Sequence, residues 1–382
     1  MRFLTAGESH GPKLTGIIEG LPAGMPIDKQ KIDETLRRRQ RGPGRGGRMK
    51  IEADEIVFTA GIRAGKTTGA PVALEIINRD FPNWETVMTW QEQADVESRK
   101  VVAPRPGHAD LTGALKYRME IRNVLERASA RETAMRVAIG AIARQLLESV
   151  GMEVRGRVTA LGGVHARLEE SEAYWQAVSA SPWLCGDTQA EQAWEARLTE
   201  ARQSGESLGG VLEVQILHVP AGIGSYVQWD RKLDGRLAQA VLSVQAMKGV
   251  SFGLGFEAAH EVGSRVHDPI DYQEGTGFFR SRNHAGGIEG GMSNGEPLII
   301  HAAMKPIPTL YQPLPTVRMD TKEQTAASVE RSDICAAPAA LIVVEHVTAW
   351  VVAEMMLEKF SADSFSEFQQ AVHTYREYLK TV

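Results

Sequence analysis
The chain has 382 residues, 43% of them hydrophobic, with a formal net charge of −5 and a pI near 6.1. That length can bury a sizeable core and allows one to three domains, while an acidic balance with only 6% aromatic residues argues against a nucleic-acid binder that relies on a basic surface and base stacking. Two cysteines without CxxC partners, Cys185 and Cys335, point to neither a zinc site nor a disulfide framework, and together with an N-terminus that lacks an apolar run and a cleavage pattern they fit a reducing cytoplasm.

Residues 3–6 read as a short strand leading into Gly7-Glu8-Ser9-His10-Gly11. A histidine between glycines can approach a ligand closely and can give or take a proton near neutral pH; a hydrogen-bonded turn histidine is the ordinary alternative. The pattern also satisfies Gly-x-Ser-x-Gly. A nucleophile elbow, however, needs oxyanion and acid elements around it, and this segment stands at the extreme N-terminus.

Residues 37–48, RRRQRGPGRGGR, hold six arginines. In an acidic chain such a cluster suits a small, highly charged anion, because guanidinium groups grip phosphate and carboxylate in bidentate fashion. A solvated basic loop and an Arg/Gly-rich RNA-binding segment are the alternatives. Gly42, Gly44 and Gly47 match GxGxxG in letters, but an arginine-rich helical stretch precedes them where a dinucleotide fold needs a strand.

Residues 55–60 and 70–77 read as strands flanking a glycine turn. Between them, Gly61-Ile62-Arg63-Ala64-Gly65-Lys66-Thr67 resembles a phosphate-binding P-loop with one residue too few between its glycines. A P-loop phosphotransferase is therefore the alternative enzyme reading. Arg105-Pro106-Gly107-His108-Ala109-Asp110 puts a second histidine in a rigid turn, three residues from an arginine.

Residues 131–150 place Met135, Ile139, Ile142 and Leu146 on one helical face, with Gly151 as a stop. Val137, Ala138, Ala141 and Ala143 make the opposite face apolar too, so this helix is expected to be central. Ser129, just ahead of it, and the free amides of a helix start suit an anion. Residues 160–205 are polar, carry helical pieces and read as a peripheral excursion. Residues 211–219 form another strand candidate. The loops at 282–291 and 305–309 offer glycine amides or a cation. Residues 337–360 predict a second buried helix with Pro338 in its first turn; Glu345, His346 and Glu354 argue against a membrane span. The expected architecture is one domain over residues 1–382, an α+β fold with central helices between sheets. Several loops, each bringing a cation, a histidine or glycine amides, imply one shared anionic site.

The motifs GESHG (7–11), RRRQ with GPGRG (37–46), RPGHAD (105–110), RASARET (127–133), AMKGVSFG (246–253), GGIEGGMSNG (286–295), KPIPT (305–309) and RSDICAAPAA (331–340) occur in an order that resembles the chorismate synthase family across nearly the whole chain. The resemblance implies a β-α-β sandwich with antiparallel sheets, a homotetramer, and a shikimate-pathway lyase. That lyase eliminates the 3-phosphate and the C6 pro-R hydrogen of 5-enolpyruvylshikimate 3-phosphate in an anti-1,4 sense, giving chorismate for aromatic amino acid biosynthesis. It implies reduced FMN, with NADPH as a candidate reductant, and neither a metal, a nucleic acid nor a membrane.

Carried over by motif, His10 lies at the flavin and His108 is the general acid for the departing phosphate. Asp333 assists removal of the C6 proton. Arg39, Arg45, Arg48 and Arg105 bind substrate, with Arg39 and Arg45 also where NADPH contacts fall. Flavin contacts come from Arg127, Ala128, Ser129, Gln245, Ala246, Gly290, Lys305, Pro306, Ile307, Pro308, Thr309 and Arg331. Ala128 stands where the family often has serine. His284 and residues 160–205 receive no role.

Overall fold
Strand β1 (Arg2–Ala6) pairs antiparallel with β2 (Lys13–Glu19), where Leu14, Gly16 and Ile18 alternate inward. After helix α1 (Lys29–Gln40) come β3 (Ile56–Ala60), a small hairpin of β4 (Ile62–Arg63) and β5 (Lys66–Thr67), and β6 (Val72–Ile77). Strands β1, β2, β6 and β3, in that order, form a four-stranded antiparallel sheet. The structure, a computed structural model, describes residues 1–46, 53–330 and 332–382; Arg48 and Arg331 lie outside the described residues.

The P-loop alternative fails here. Gly61 to Thr67 is this β4–β5 hairpin, with Ala64 and Gly65 at positive φ in its turn, and no helix N-terminus follows to receive a phosphate.

Helices α2 (Asp110–Tyr117) and α3 (Ile121–Ala128) share a satellite cluster of Val101, Ala114, Ile121, Val124 and Leu125. A 3-10 turn, Ala130–Glu132, then leads into α4 (Thr133–Glu148). The regular helix starts two residues later than its apolar period suggests, because the Ser129 hydroxyl accepts from Arg131 N and starts a tighter turn.

The second sheet uses β7 (Glu153–Leu161), β8 (Val164–His165), β9 (Gly210–Leu217), β10 (Met247–Phe252) and, beyond two hairpins, a long strand. Those hairpins are β11 (Ile270–Gln273) with β12 (Gly277–Arg280) and β13 (Ile288–Glu289) with β14 (Met292–Ser293). The long strand is β15 (Leu298–Met304), and the sheet order is β10-β15-β9-β7-β8, all antiparallel.

Between β7 and β15 the chain also forms α5 (Glu172–Ala180), α6 (Thr188–Ser204), α7 (Leu233–Leu242) and the single turn α8 (Gly263–Val266). It closes with α9 (Ala337–Lys359) and α10 (Phe365–Leu379). Helices α4 and α9 pack on each other between the two sheets, α4 against β2 and α9 against β7 and β9. This is the α+β sandwich the sequence implies. At Gly140 the helices touch so closely that an added Cβ would stand 2.3 Å from His346 O.

Helix α9 is long and apolar enough to cross a membrane, yet 89% of its most apolar window is buried inside the protein. It shows no one-sided pattern because α4, α1, α7 and the second sheet enclose it. Each fully buried Leu or Ile there contributes roughly 1.5–3 kcal/mol.

Residues 160–205 are more than an excursion. Trp183, Trp194 and Leu198 join the main core. Arg157 on β7 is buried, with its guanidinium 4.8 Å from the Trp175 ring and ion-paired to Glu170 and Glu213. Through Glu170 and Trp175 the segment packs on Arg157 and Gln215 of the second sheet.

Candidate active site
Eight chain segments, most of them at the ends of strands and helices, converge on a cleft of about 1120 Å³. The turn after β1 is set by Gly7, whose φ of 113° and 2.5 Å distance from a virtual Cβ to Lys13 O exclude any side chain. It delivers His10. The His10 ring Nδ1 lies 2.8 Å from Glu126 Oε1 and 3.0 Å from Oε2, and its backbone N–H donates to Oε2 at 2.8 Å. Trp84 stacks on the imidazole with centroids 3.8 Å apart. Burial acts to raise the Glu126 carboxyl, but the His10 hydrogen bond and charge outweigh it and hold it below the ordinary carboxylate range. Beside it, Ser9 Oγ donates to Ser129 Oγ at 3.1 Å.

His108 sits in the turn ahead of α2. Its Nδ1 lies 2.5 Å from Oδ1 of the fully buried Asp110. Arg105 Nε reaches Asp110 Oδ2 at 2.8 Å, and its Nη1 donates to Thr309 Oγ1 at 2.9 Å.

Arg39, on the last turn of α1, is 5% exposed. It donates to Ala130 O and Thr133 Oγ1, and it lies 3.6 Å from Asp54, the carboxylate that also pairs with the buried Arg131 at 2.7 Å. Two guanidinium groups thus share one carboxylate. Arg45 Nη1 donates to Asp333 Oδ2 at 2.5 Å, and Gly46 N donates to Oδ1 at 2.6 Å. Asp333 itself leads into α9. Of the arginine stretch, Arg39 and Arg45 turn inward to the cleft, whereas Arg37 and Arg41 are exposed and pair with Glu34.

Ala128, Ser129, Gln245, Ala246, Lys305, Ile307, Pro308 and Thr309 also line the cleft. Gln245 Oε1 is buried with no hydrogen-bond partner among the described residues, an acceptor that calls for a ligand N–H or O–H. Ala246 holds φ at 69°, a left-handed conformation uncommon outside glycine. Lys305 donates to Gly107 O at 2.8 Å, and burial with the nearby Lys248 charge lowers its pKa. Ala336, just ahead of α9, and Ala339, Ala340 and Val343 of α9 add an apolar lining to the same cleft. An apolar wall, an unfilled acceptor and several cations fit an anionic cofactor with an apolar face beside a polyanionic substrate.

Among the described residues, three of the expected set do not line the cleft. Arg127 is directed to Thr5 O, Thr5 Oγ1 and Gly7 O, where it pins β1. Pro306 stands next to the lining residues but outside them, and Gly290 occupies the β13–β14 turn. His284 bonds to Arg265 O and has no place in the cleft. Sequence reasoning missed Glu126, Asp54, Trp84, Arg99 and Arg122 as site residues; the Arg122–Glu126 spacing of four on a helix was the one local signal.

The chorismate synthase family model matches residues 1–357. The chorismate synthase of Desulfitobacterium hafniense (strain Y51) is 64% identical over 379 residues, 99% of each chain. That of Desulforamulus reducens is 53% identical over 386 residues, the full length of both. A crystal structure of chorismate synthase superposes with a TM-score of 0.81 at 38% identity, covering 100% of this chain and 98% of that one.

Proposed function
The chain belongs to the chorismate synthase family, and from that premise we propose how the residues of its cleft divide the work. It is a lyase of the shikimate pathway that converts 5-enolpyruvylshikimate 3-phosphate to chorismate and phosphate. The family implies a flavin; we read it as reduced FMN, with NADPH as a candidate reductant at Arg39 and Arg45. When bound, it lends electron density to the carbon losing phosphate and recovers it, leaving no net redox change.

The chain's own residues bind, orient and move protons. Arg39, Arg45 and Arg105 hold the phosphate and carboxylates, with Arg131 sharing the charge of Asp54; outside the described residues, Arg48 belongs to the same grip and Arg331 to the cofactor contacts. His108 gives a proton to the departing phosphate oxygen as the C3–O bond breaks. Asp333 assists removal of the C6 proton, which requires substrate to draw Arg45 away from it. His10 holds or moves a proton at the cofactor's edge. Gln245, Ala246, Ala128, Ser129 and the Lys305 to Thr309 segment form the cofactor's bed, and the α9 wall excludes water. The observation that carries this reading is the convergence of two carboxylate-held histidines with Arg39, Arg45 and Arg105 on one cleft.

We read the chain as one domain, supported by a main core that runs through both sheets and residues 160–205. A cytoplasmic homotetramer is supported by unpaired, buried cysteines and by Leu4, Ile17 and Val57 exposed on the first sheet, a surface that a second copy would cover. The reading requires no nucleic acid, membrane or metal. Its test is an anaerobic reaction of substrate with chemically reduced FMN. Phosphate and chorismate should appear in equal amounts, and neither with oxidised FMN. No product from folded protein would sink it.

A further inference from the structure
We propose that Asp110 is the positioning residue of this cleft, fixing the tautomer of His108 and the fork of Arg105 with one carboxylate. The inference deepens the reading above and rests on His108 acting toward the departing phosphate.

Asp110 opens α2 and is fully buried. Four contacts surround its two oxygens, three from N–H groups of Arg105 and one from the His108 imidazole. His108 Nδ1 at 2.5 Å and Arg105 Nη2 at 3.0 Å meet Oδ1. Arg105 Nε at 2.8 Å and the Arg105 backbone N at 3.1 Å meet Oδ2. A carboxylate offers about four acceptor sites, so all are used.

Arg105 Nη2 also lies 3.1 Å from His108 Nδ1. An ionised carboxylate oxygen only accepts, so the 2.5 Å approach of Nδ1 to Oδ1 needs the hydrogen on Nδ1, and the two nitrogens are then donors that share Oδ1. Nδ1 stays protonated, and Nε2 becomes the nitrogen that exchanges a proton with the cleft. The imidazolium can then pass its Nε2 proton to the leaving phosphate oxygen, which takes the electron pair of the C3–O bond, and return to the neutral Nδ1–H form. Burial alone would raise the Asp110 carboxyl, but His108 and then Arg105 hold it well below the ordinary range, so it stays an acceptor. The same anion orients the guanidinium meant for the phosphate. Acid and anion grip therefore keep a fixed separation.

Asp110→Asn tests this because an amide must point its NH2 at one of those donors. Either Arg105 loses its fork, or His108 must accept at Nδ1 and carry its neutral-state proton on Nε2. Turnover is measured with reduced FMN for wild type, D110N, H108A and the double variant. D110N should lower kcat by roughly 10²-fold or more, on the scale of general acid catalysis and of a wrong histidine tautomer. In the H108A background the added kcat loss should be at most a few-fold, with the remaining effect on KM through Arg105. An equal kcat loss in both backgrounds overturns the proposal. Near-normal turnover of H108A alone instead overturns the role of His108. A second measurement needs no variant to fold well: 15N spectra of histidine-labelled wild type, with the His108 signal found by its loss in H108A. Neutral His108 protonated at Nδ1 supports the proposal, and neutral His108 protonated at Nε2 ends it.

Discussion

His346 makes the stability of this protein sensitive to acid in a way that can be measured. It sits in the middle of α9 with no exposed surface, and its Nδ1–H donates to Ile342 O at 2.6 Å. Its Nε2 has no hydrogen-bond partner among the described residues. Burial, with the positive charges of Arg144 and Arg38 adding to it, pushes the imidazole from 6.5 down to about 3. In the unfolded chain the ring titrates near 6.5, so between these values the unfolded state binds a proton that the folded state refuses. The stability this group contributes is therefore complete above pH 6.5 and is lost as pH falls toward 3. At 1.36 kcal/mol per pH unit, the loss is about 2 kcal/mol at pH 5 and about 3 kcal/mol at pH 4. Glu345, next to it, works in the opposite direction. Burial raises its carboxyl, so the folded state regains stability as pH falls from neutral. Comparing wild type with His346→Leu keeps Glu345 in both proteins and isolates the histidine. Urea unfolding at pH 7 and pH 5, at matched protein concentration, should show the leucine variant gaining about 2 kcal/mol on wild type over that interval. A gap that stays constant with pH would refute the argument.

At Gly140, an added methyl group gains about 1 kcal/mol of helix propensity but meets the α9 backbone, which cannot swing aside; Gly140→Ala should be destabilised by at least about 1 kcal/mol net, read as a lower thermal midpoint. Gly16→Ala meets side chains rather than backbone, Met135 with its Sδ 2.6 Å and Ile139 with its Cδ1 3.1 Å from the virtual Cβ, and should cost less; the reverse order would contradict the packing. His10→Ala and His108→Ala should each lower turnover roughly 10²-fold or more, and near-normal rates in both would remove their assigned roles. Arg45→Ala should chiefly raise KM, and an unchanged KM would take Arg45 out of the substrate grip.

The central helices were legible because α4 repeats its apolar residues at helical spacing and α9 is apolar on all sides, which only a buried helix tolerates in a sandwich of this kind. The cations were legible because arginines stand out against an acidic composition. The partners that discipline those cations were harder to see. Glu126 meets His10 across 116 positions, and Asp54 joins Arg39 and Arg131 only after a sheet and two helices have folded. In sequence, such a carboxylate looks like any solvated acid. Motif order also carries no distance, which is why Gly290 and Arg127 entered the expected set yet do not line the cleft. The hidden carboxylates explain how an acidic chain assembles this site. Buried guanidinium groups without counter-charge would repel each other and leave large desolvation costs, so Asp54, Asp110 and Glu126 each hold at least one arginine in place before any ligand arrives. Asp54 serves two arginines, and the Lys305 ammonium donates to a backbone carbonyl. Arg39, Arg45, Arg105 and Lys305 all line the cleft, and a phosphate with two carboxylates is the anion we propose they meet.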